Sequence, residues 1–216
     1  MTLAITDLIK TFAQPGGGSL TVLDVPTFNI AAGEQVALIG QSGGGKTTLL
    51  HLIAGLLAPD SGSIKIDSIE LTKLSVGYVF QTFNLLPAFT AIENVRLGMT
   101  FGHGKQDAKR ATELLGRVGL ADRANYKPSQ LSVGQQQRVA IARALAGKPK
   151  LLLADEPTAN VDPNSAENVL ELIRQSCQDE QIALLMVTHS MDVANRFDRV
   201  EKLDEINRAF SNAASH

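Results

Sequence analysis

The chain has 216 residues, with 20 Lys and Arg against 22 Asp and Glu and a formal net charge of -2, so bulk basic charge does not carry it onto nucleic acid. Apolar residues are 44% and charged residues 19%, which excludes a disordered chain and predicts one domain with a full core. One cysteine excludes an internal disulfide and fits a reducing compartment, while the 18 glycines, many of them clustered, are the unusual count.

Thr2 to Leu8 reads as a strand, Pro15-Gly16-Gly17-Gly18 as a turn, and Ser19 to Ile30 as a second, loosely alternating strand. The opening Met1-Thr2-Leu3-Ala4-Ile5 lacks the basic flank of a signal peptide and soon meets Asp7. After a turn at Ala32-Gly33-Glu34, Val36 to Ile39 is a short apolar run of the kind buried on both faces of a parallel sheet. A glycine-rich turn follows, then a helix over Lys46 to Leu57 that Pro59-Asp60-Ser61-Gly62 stops, then a strand over Ser63 to Asp67. From about Phe83 to Ala146 the texture is helical, with helices at Asp107 to Val118 and Gln135 to Leu145. The last third alternates again: strand Leu151 to Ala154, helix Asn164 to Cys177, strand Ile182 to Val187, helix Met191 to Phe197, and a frayed end at Ser211 to His216. Strands alternating with helices predict an α/β fold with a parallel sheet. No apolar run approaches the roughly 18 residues that cross a bilayer, so the expected location is cytoplasmic.

Gly40-Gln41-Ser42-Gly43-Gly44-Gly45-Lys46-Thr47 fits the phosphate-loop pattern of four variable residues between Gly and Gly-Lys-[Ser/Thr]. Its setting is the required one, an apolar strand before and a helix after. Glycines let successive backbone N–H groups curl around an anion, and the helix N-terminus adds partial positive charge. The candidate nucleotide contacts are Gly40, Ser42, Gly43, Gly44, Gly45, Lys46, Thr47 and Thr48. Lys46 is suited to the terminal phosphates and Thr47 to magnesium. The bland alternative, a glycine turn that happens to precede Lys-Thr, has a chance on the order of 1% in a chain this long.

Leu151-Leu152-Leu153-Ala154-Asp155-Glu156-Pro157 is an apolar strand ending in two acids, and acids at the carboxyl end of a parallel strand face the ligand crevice. Asp155 suits a magnesium role beside a phosphate loop, and Glu156, pointing differently, suits activation of a water.

With these residues in place, the chain resembles the ABC ATPases over nearly its whole length. Leu131-Ser132-Val133-Gly134-Gln135 followed by Gln136-Gln137-Arg138 is similar to that family's signature motif. Gln81 after Gly77 to Phe80 matches the Q-loop, Ala159-Asn160-Val161-Asp162 the D-loop, and His189 after Thr188 the switch histidine. Phe12 stands where the family has an aromatic on adenine. The resemblance implies a P-loop NTPase of RecA-like core with an antiparallel β sub-lobe and a helical sub-lobe, the latter inserted at about 83–146 of a single domain spanning 1–216. It implies ATP and Mg2+ as cofactors. It assigns catalysis to Glu156, His189 and Gln81, metal contact to Thr47, Gln81 and Asp155, and nucleotide contact by a second copy to Ser132, Gly134, Gln135 and Asp162. The stretch Phe80 to Pro87 resembles the subgroup serving lipoprotein release and macrolide-type efflux, which includes a cell-division ATPase. That implies integral membrane permease partners, with the chain peripheral on the cytoplasmic face of the inner membrane. A regulatory module of a cell-envelope complex and a soluble DNA-maintenance ATPase are the alternatives. The second lacks support, because the chain has no long insertion and no basic excess.

Three features depart from the family pattern: Val133 replaces a glycine of the signature, the segment between Leu74 and Gly77 is short, and no glycine turn occurs near Leu203 to Ile206. Among the histidines, His51, His103 and His216 have no supporting motif, and Cys177 reads as helix packing.

Overall fold

Apolar alternation in the first thirty residues builds a hairpin. Strand β1 (Leu3–Ala13) pairs antiparallel with β2 (Ser19–Ile30), and Leu3, Ile5, Leu8, Leu23, Val25 and Ile30 are fully buried on one side of it. These observations come from a computed structural model that describes residues 2–67, 69–70, 76–100 and 107–209. The other edge of β1 takes β4 (Ser61–Ile66), and β5 (Ile69–Glu70) pairs with β4, giving an antiparallel sheet in the order β2-β1-β4-β5.

The second sheet has five strands. It contains β3 (Gln35–Ile39), β6 (Val76–Val79), β7 (Leu151–Asp155), β8 (Ala183–Val187) and β9 (Arg199–Lys202), in the order β6-β7-β8-β3-β9, and every pairing is parallel. All residues of β3, β7 and β8 are buried, as expected of strands covered on both faces. One face carries α1 (Lys46–Ile53) and the antiparallel sheet, whose apolar residues share a core with Val36, Leu38, Leu151, Leu153 and Leu185. On the other face, Ala37, Leu152, Leu184 and Met186 join a core built with α2 (Ala91–Thr100), α3 (Ala108–Arg117), α4 (Val133–Ala146) and α5 (Pro163–Asp179). Two short helices, α6 (Met191–Ala194) and α7 (Leu203–Ile206), complete the described fold.

Several boundaries differ from the sequence reading for local reasons. Helix α1 stops at Ile53, not Leu57, because Gly55 turns left-handed at φ 66 and throws Leu56 into solvent. Strand β1 runs on to Ala13, since its outer half pairs with β2 and needs no buried face. Ser61 and Gly62 belong to β4, and the stop before them is Asp60, whose carboxylate binds Lys10 Nζ at 2.8 Å and the Thr11 amide at 2.6 Å. Helix α6 ends at Ala194, short of Phe197. The segment at 71–75, with Leu74, lies outside the described residues, as do His103 and Ser211 to His216.

Helices α2 and α4 cross at close range. A Cβ built on Gly98 would overlap the Arg143 carbonyl oxygen. Replacing Gly98 by Ala overpacks this contact and is expected to lower unfolding free energy by about 1–3 kcal/mol. A urea midpoint equal to the parent's would contradict the close crossing.

Candidate nucleotide site

The loop after β3 is shaped by two left-handed glycines, Gly43 at φ 76 and Gly45 at φ 92. Gly45 caps α1 with no side chain, and its carbonyl accepts from Leu49 N at 2.8 Å. The first turn of α1 holds no acid, so nothing offsets the positive end of the helix. Lys46 is buried, and its Nζ donates to the carbonyls of Gly40 and Gln41 at 2.8 Å each. Two of its three donors thus curl the ammonium over the loop, and one is left for an anion. Ser42 and Gly43 are exposed at the loop tip, Gly44 is buried and Thr48 is half-buried behind it. A cavity of about 230 Å³ adjoins Gly40, Gln41 and Gly44, with Leu203 and Asp204 on its far side.

Asp155 ends β7, the strand between β6 and β8. The Thr47 hydroxyl bonds its carboxylate, and Tyr78 Oη reaches Oδ2 at 3.5 Å. Burial holds the Asp155 carboxyl above its ordinary range, against the Thr47 bond, with the Glu156 charge adding to the rise. The residues present fit a magnesium ion held beside nucleotide phosphates, since a hard cation takes a hydroxyl, one carboxylate and phosphate oxygens. No group of three or more His, Cys, Asp or Glu side chains among the described residues could hold a metal alone.

Glu156 follows in a left-handed conformation at φ 44, a strained position for a non-glycine. The turn aims its carboxylate away from Asp155, and Oε2 lies 3.1 Å from His189 Nδ1. His189 follows β8 and is itself exposed, so the pair opens to solvent on the same sheet edge as Lys46. Gln81, exposed after β6, is held through its backbone: its carbonyl accepts from Asn160 Nδ2 at 2.9 Å. Two residues on, Phe83 and Asn84 are both left-handed, at φ 56 and 48. Their carbonyls accept from the guanidinium of Arg143, a largely buried cation on α4, at 2.7 and 2.5 Å.

Two groups of the sequence-predicted residues are therefore assembled: Lys46, Thr47 and Asp155, and the Glu156–His189 pair. The signature residues stand elsewhere. Ser132 caps α4 by accepting Gln135 N at 3.3 Å, while Gln135 Oε1 accepts Ser132 N at 2.9 Å. Asp162 caps α5 by accepting Ser165 N at 3.0 Å, and the Ser165 Cβ lies 3.5 Å from a Cβ built on Gly134. Phe12 sits on the β1–β2 hairpin, 39% exposed, with Lys10 Nζ 5.5 Å from its ring centre. Sequence reasoning missed Tyr78 and Arg143. The aromatic pair Tyr78 and Phe80, stacked at 4.2 Å, was a readable signal for the first. Arg143 had none, because its partners are backbone carbonyls sixty positions away.

The raised Asp155 value has a consequence for stability. Between the ordinary value of 3.8 and the raised one, the folded state binds more protons than the unfolded, so stability falls as pH rises through that window. Above it the ionised, buried carboxylate is a net cost. Asp155→Asn is therefore expected to melt higher than the parent at pH 7 without nucleotide, by about 2–4 °C for each 1 kcal/mol relieved. It is also expected to flatten the acid limb of the melting profile. A lower midpoint at pH 7 would show that the ionised form is favoured in place.

Comparisons with known proteins identify the family. The model of the family described as ABC transporter matches residues 23–159. A "Lipoprotein-releasing system ATP-binding protein LolD" from Nitrobacter hamburgensis is 43% identical over 212 residues, covering 92% of this chain and 90% of that protein. A protein of the same name from Paramagnetospirillum magneticum is 46% identical over 218 residues, covering 94% of this chain and 95% of that one. A "Macrolide export ATP-binding/permease protein MacB" from Rhodopirellula baltica is 44% identical over 205 residues, 88% of this chain but 30% of that longer protein. Among solved structures, the ATP-binding cassette MJ0796, dimeric in a post-hydrolysis state with ADP and Pi, superposes with a TM-score of 0.83 at 36% identity over 93% of each chain. With its phosphate loop, its acid pair and its histidine on one parallel edge, the chain belongs to the ABC transporter family of ATP-binding cassettes.

Proposed function

We propose that the chain is the ATP-hydrolysing subunit of a membrane exporter of the lipoprotein-release or macrolide-efflux type. It works as a dimer of two copies docked on integral membrane permease subunits. The observation that carries this reading is the convergence, on one sheet edge, of the Lys46 ammonium, the Asp155 carboxylate and the Glu156–His189 pair at 3.1 Å. The reaction is phosphoryl transfer to water, in which positioning and charge neutralisation supply most of the rate.

Backbone N–H groups of Gly43 to Lys46 and the third donor of Lys46 hold the β- and γ-phosphates. Thr47, Asp155 and Gln81 would hold Mg2+, which neutralises charge on those oxygens. Glu156 accepts the proton of the attacking water. His189 orients the Glu156 carboxylate in the free protein and, with nucleotide present, turns its exposed ring to the γ-phosphate. Ser132, Gly134 and Gln135 stand at the start of α4 and Asp162 at the start of α5, apart in the chain from the Lys46 loop, and we assign them to nucleotide held by a second copy. Phe12, with an exposed ring, serves adenine.

The permease element enters between the helical sub-lobe at about 83–146 and the core. A cavity of about 530 Å³ opens there, walled by Leu56, Phe80, Leu86 and Leu97 and, from α4, by Arg143 and Ala144, and Leu56 and Leu86 are exposed. No helix among the described residues is long and apolar enough to cross a membrane. The proposed position is peripheral, on the cytoplasmic face through the permease partners, and no nucleic-acid partner is proposed.

Glu156→Gln is expected to retain ATP affinity, to lose turnover by about 10²–10⁴-fold and to accumulate an ATP-bound dimer on size-exclusion chromatography. Turnover at the parental rate removes Glu156 as the base. Lys46→Ala, which deletes a charge-assisted bond to phosphate, is expected to weaken ATP binding by about 10–100-fold. Unchanged affinity in a fluorescent-nucleotide titration argues against the phosphate loop as the site.

A further inference from the structure

Helix α4 begins at Ser132 and runs beneath the turn that presents Glu156. One turn in from Gly134 lies Gln137, fully buried at 0% exposure. Its Nε2 donates to the carbonyl oxygen of Pro157 at 2.7 Å. A carbonyl only accepts, which fixes which end of the amide faces it. The other end, Oε1, has no hydrogen-bond partner among the described residues.

A buried amide with one bond made and an acceptor unmet is a poor device for stability alone. Leucine or methionine would fill similar space in this apolar setting with no unmet acceptor of its own, at the cost of the donor to the Pro157 carbonyl. What the single bond does is local. Glu156 is left-handed at φ 44, and its turn is held by Glu156 N to Val187 O and by Ala159 N to Glu156 O, both 3.1 Å. The Gln137 bond, shorter than either, is a tether from α4 to the carbonyl of the residue immediately after the base.

We infer that Gln137 is a positioning residue for Glu156, fixing the turn that aims the base to the helix that bears the signature. On the reading that Ser132 and Gly134 meet a second copy's nucleotide and that Glu156 is the base, engagement at one site of the dimer is then passed through α4 to the base of the other. The relay is a single side chain three residues from Gly134.

The test is steady-state ATP hydrolysis by the full chain carrying Gln137→Leu, with Gln137→Met as the second variant should the first fold poorly. The expected result is a kcat lower by about 10–100-fold, the size of loss that a small misplacement of a reacting group causes. KM for ATP should stay within about two-fold of the parent, and the melting midpoint should change little, because the unmet Oε1 is removed while the Pro157 carbonyl loses its donor. In a Glu156→Gln background the same substitution should cause no further loss, because no base remains to be aimed. Parental kcat in both variants overturns the inference. So does a kcat loss that accompanies a lowered midpoint and recurs at the same size in the Glu156→Gln background, since that pattern marks a packing role. Should Glu156→Gln itself turn over at the parental rate, the base assignment fails, an outcome separate from an inert Gln137.

Discussion

Parallel pairing is the constraint on which the site depends. In a parallel sheet every strand delivers its carboxyl end to the same edge. Residues as distant in sequence as Gly40, Gln81, Asp155 and His189 therefore arrive together with no contact needed between their own neighbours. An antiparallel β8 would have carried His189 to the opposite edge from Glu156. The arrangement requires strands dry on both faces, and β3, β7 and β8 meet that with Val, Ala, Leu, Ile and Met at nearly every position. It also requires two separate covers. The antiparallel sheet with α1 supplies one, and the bundle of α2 to α5 supplies the other.

A site on such an edge must hold charge partly out of water, and the chain does so with few groups. Lys46 is hydrogen-bonded by loop carbonyls rather than paired with an acid, which leaves its charge to a phosphate. Asp155 is largely buried with the hydroxyls of Thr47 and Tyr78 beside it, so its carboxylate gains from a cation. Some of the strained backbone sits near the same edge: Phe83, Asn84 and Glu156 are all left-handed, each at a cost of roughly 1–3 kcal/mol. Polar side chains from two places pin these turns. Arg143 and Gln137 reach them from α4, and Asn160 reaches from the loop before α5. The edge is therefore braced by α4 and by the loop that leads into α5.

Most of this was legible in the sequence where the signal is local. Alternation gave β1 and β2, unbroken apolar runs gave β3, β7 and β8, and Asp107 marked the helix start that the cap of α3 bears out, whereas α4 starts at Val133, two residues before the expected Gln135, because Ser132 caps it. The phosphate loop was readable because its chemistry needs glycines at fixed offsets. What escaped was non-local. Strand β9 and helix α7 carry too few apolar residues to announce themselves, yet Asn207, just after α7, is buried and bonds Val22 O at 2.9 Å and Asp24 N at 2.7 Å. Strand order, with β3 between β8 and β9, is set by crossover handedness and length rather than by any residue type. The bonds of Arg143 and Gln137 end on backbone carbonyls, which no side-chain pattern reveals.

The departure at Val133 resolves on the same physical terms. A β-branched residue is excluded from left-handed angles, so the substitution would be serious if the signature needed one there. It does not: neither Val133 nor Gly134 has positive φ, and Val133 is simply the first residue of α4, where its side chain is exposed. The capping box consumes two of the helix's open amide donors, Gln135 N on Ser132 Oγ and Ser132 N on Gln135 Oε1. That leaves the amides of Val133 and Gly134 at the helix end, together with the Ser132 hydroxyl proton, as the donors for an anion from outside. Donors of this kind belong to the backbone and to Ser132, so a side chain at 133 alters the shape of the surface around them and leaves their number and direction unchanged.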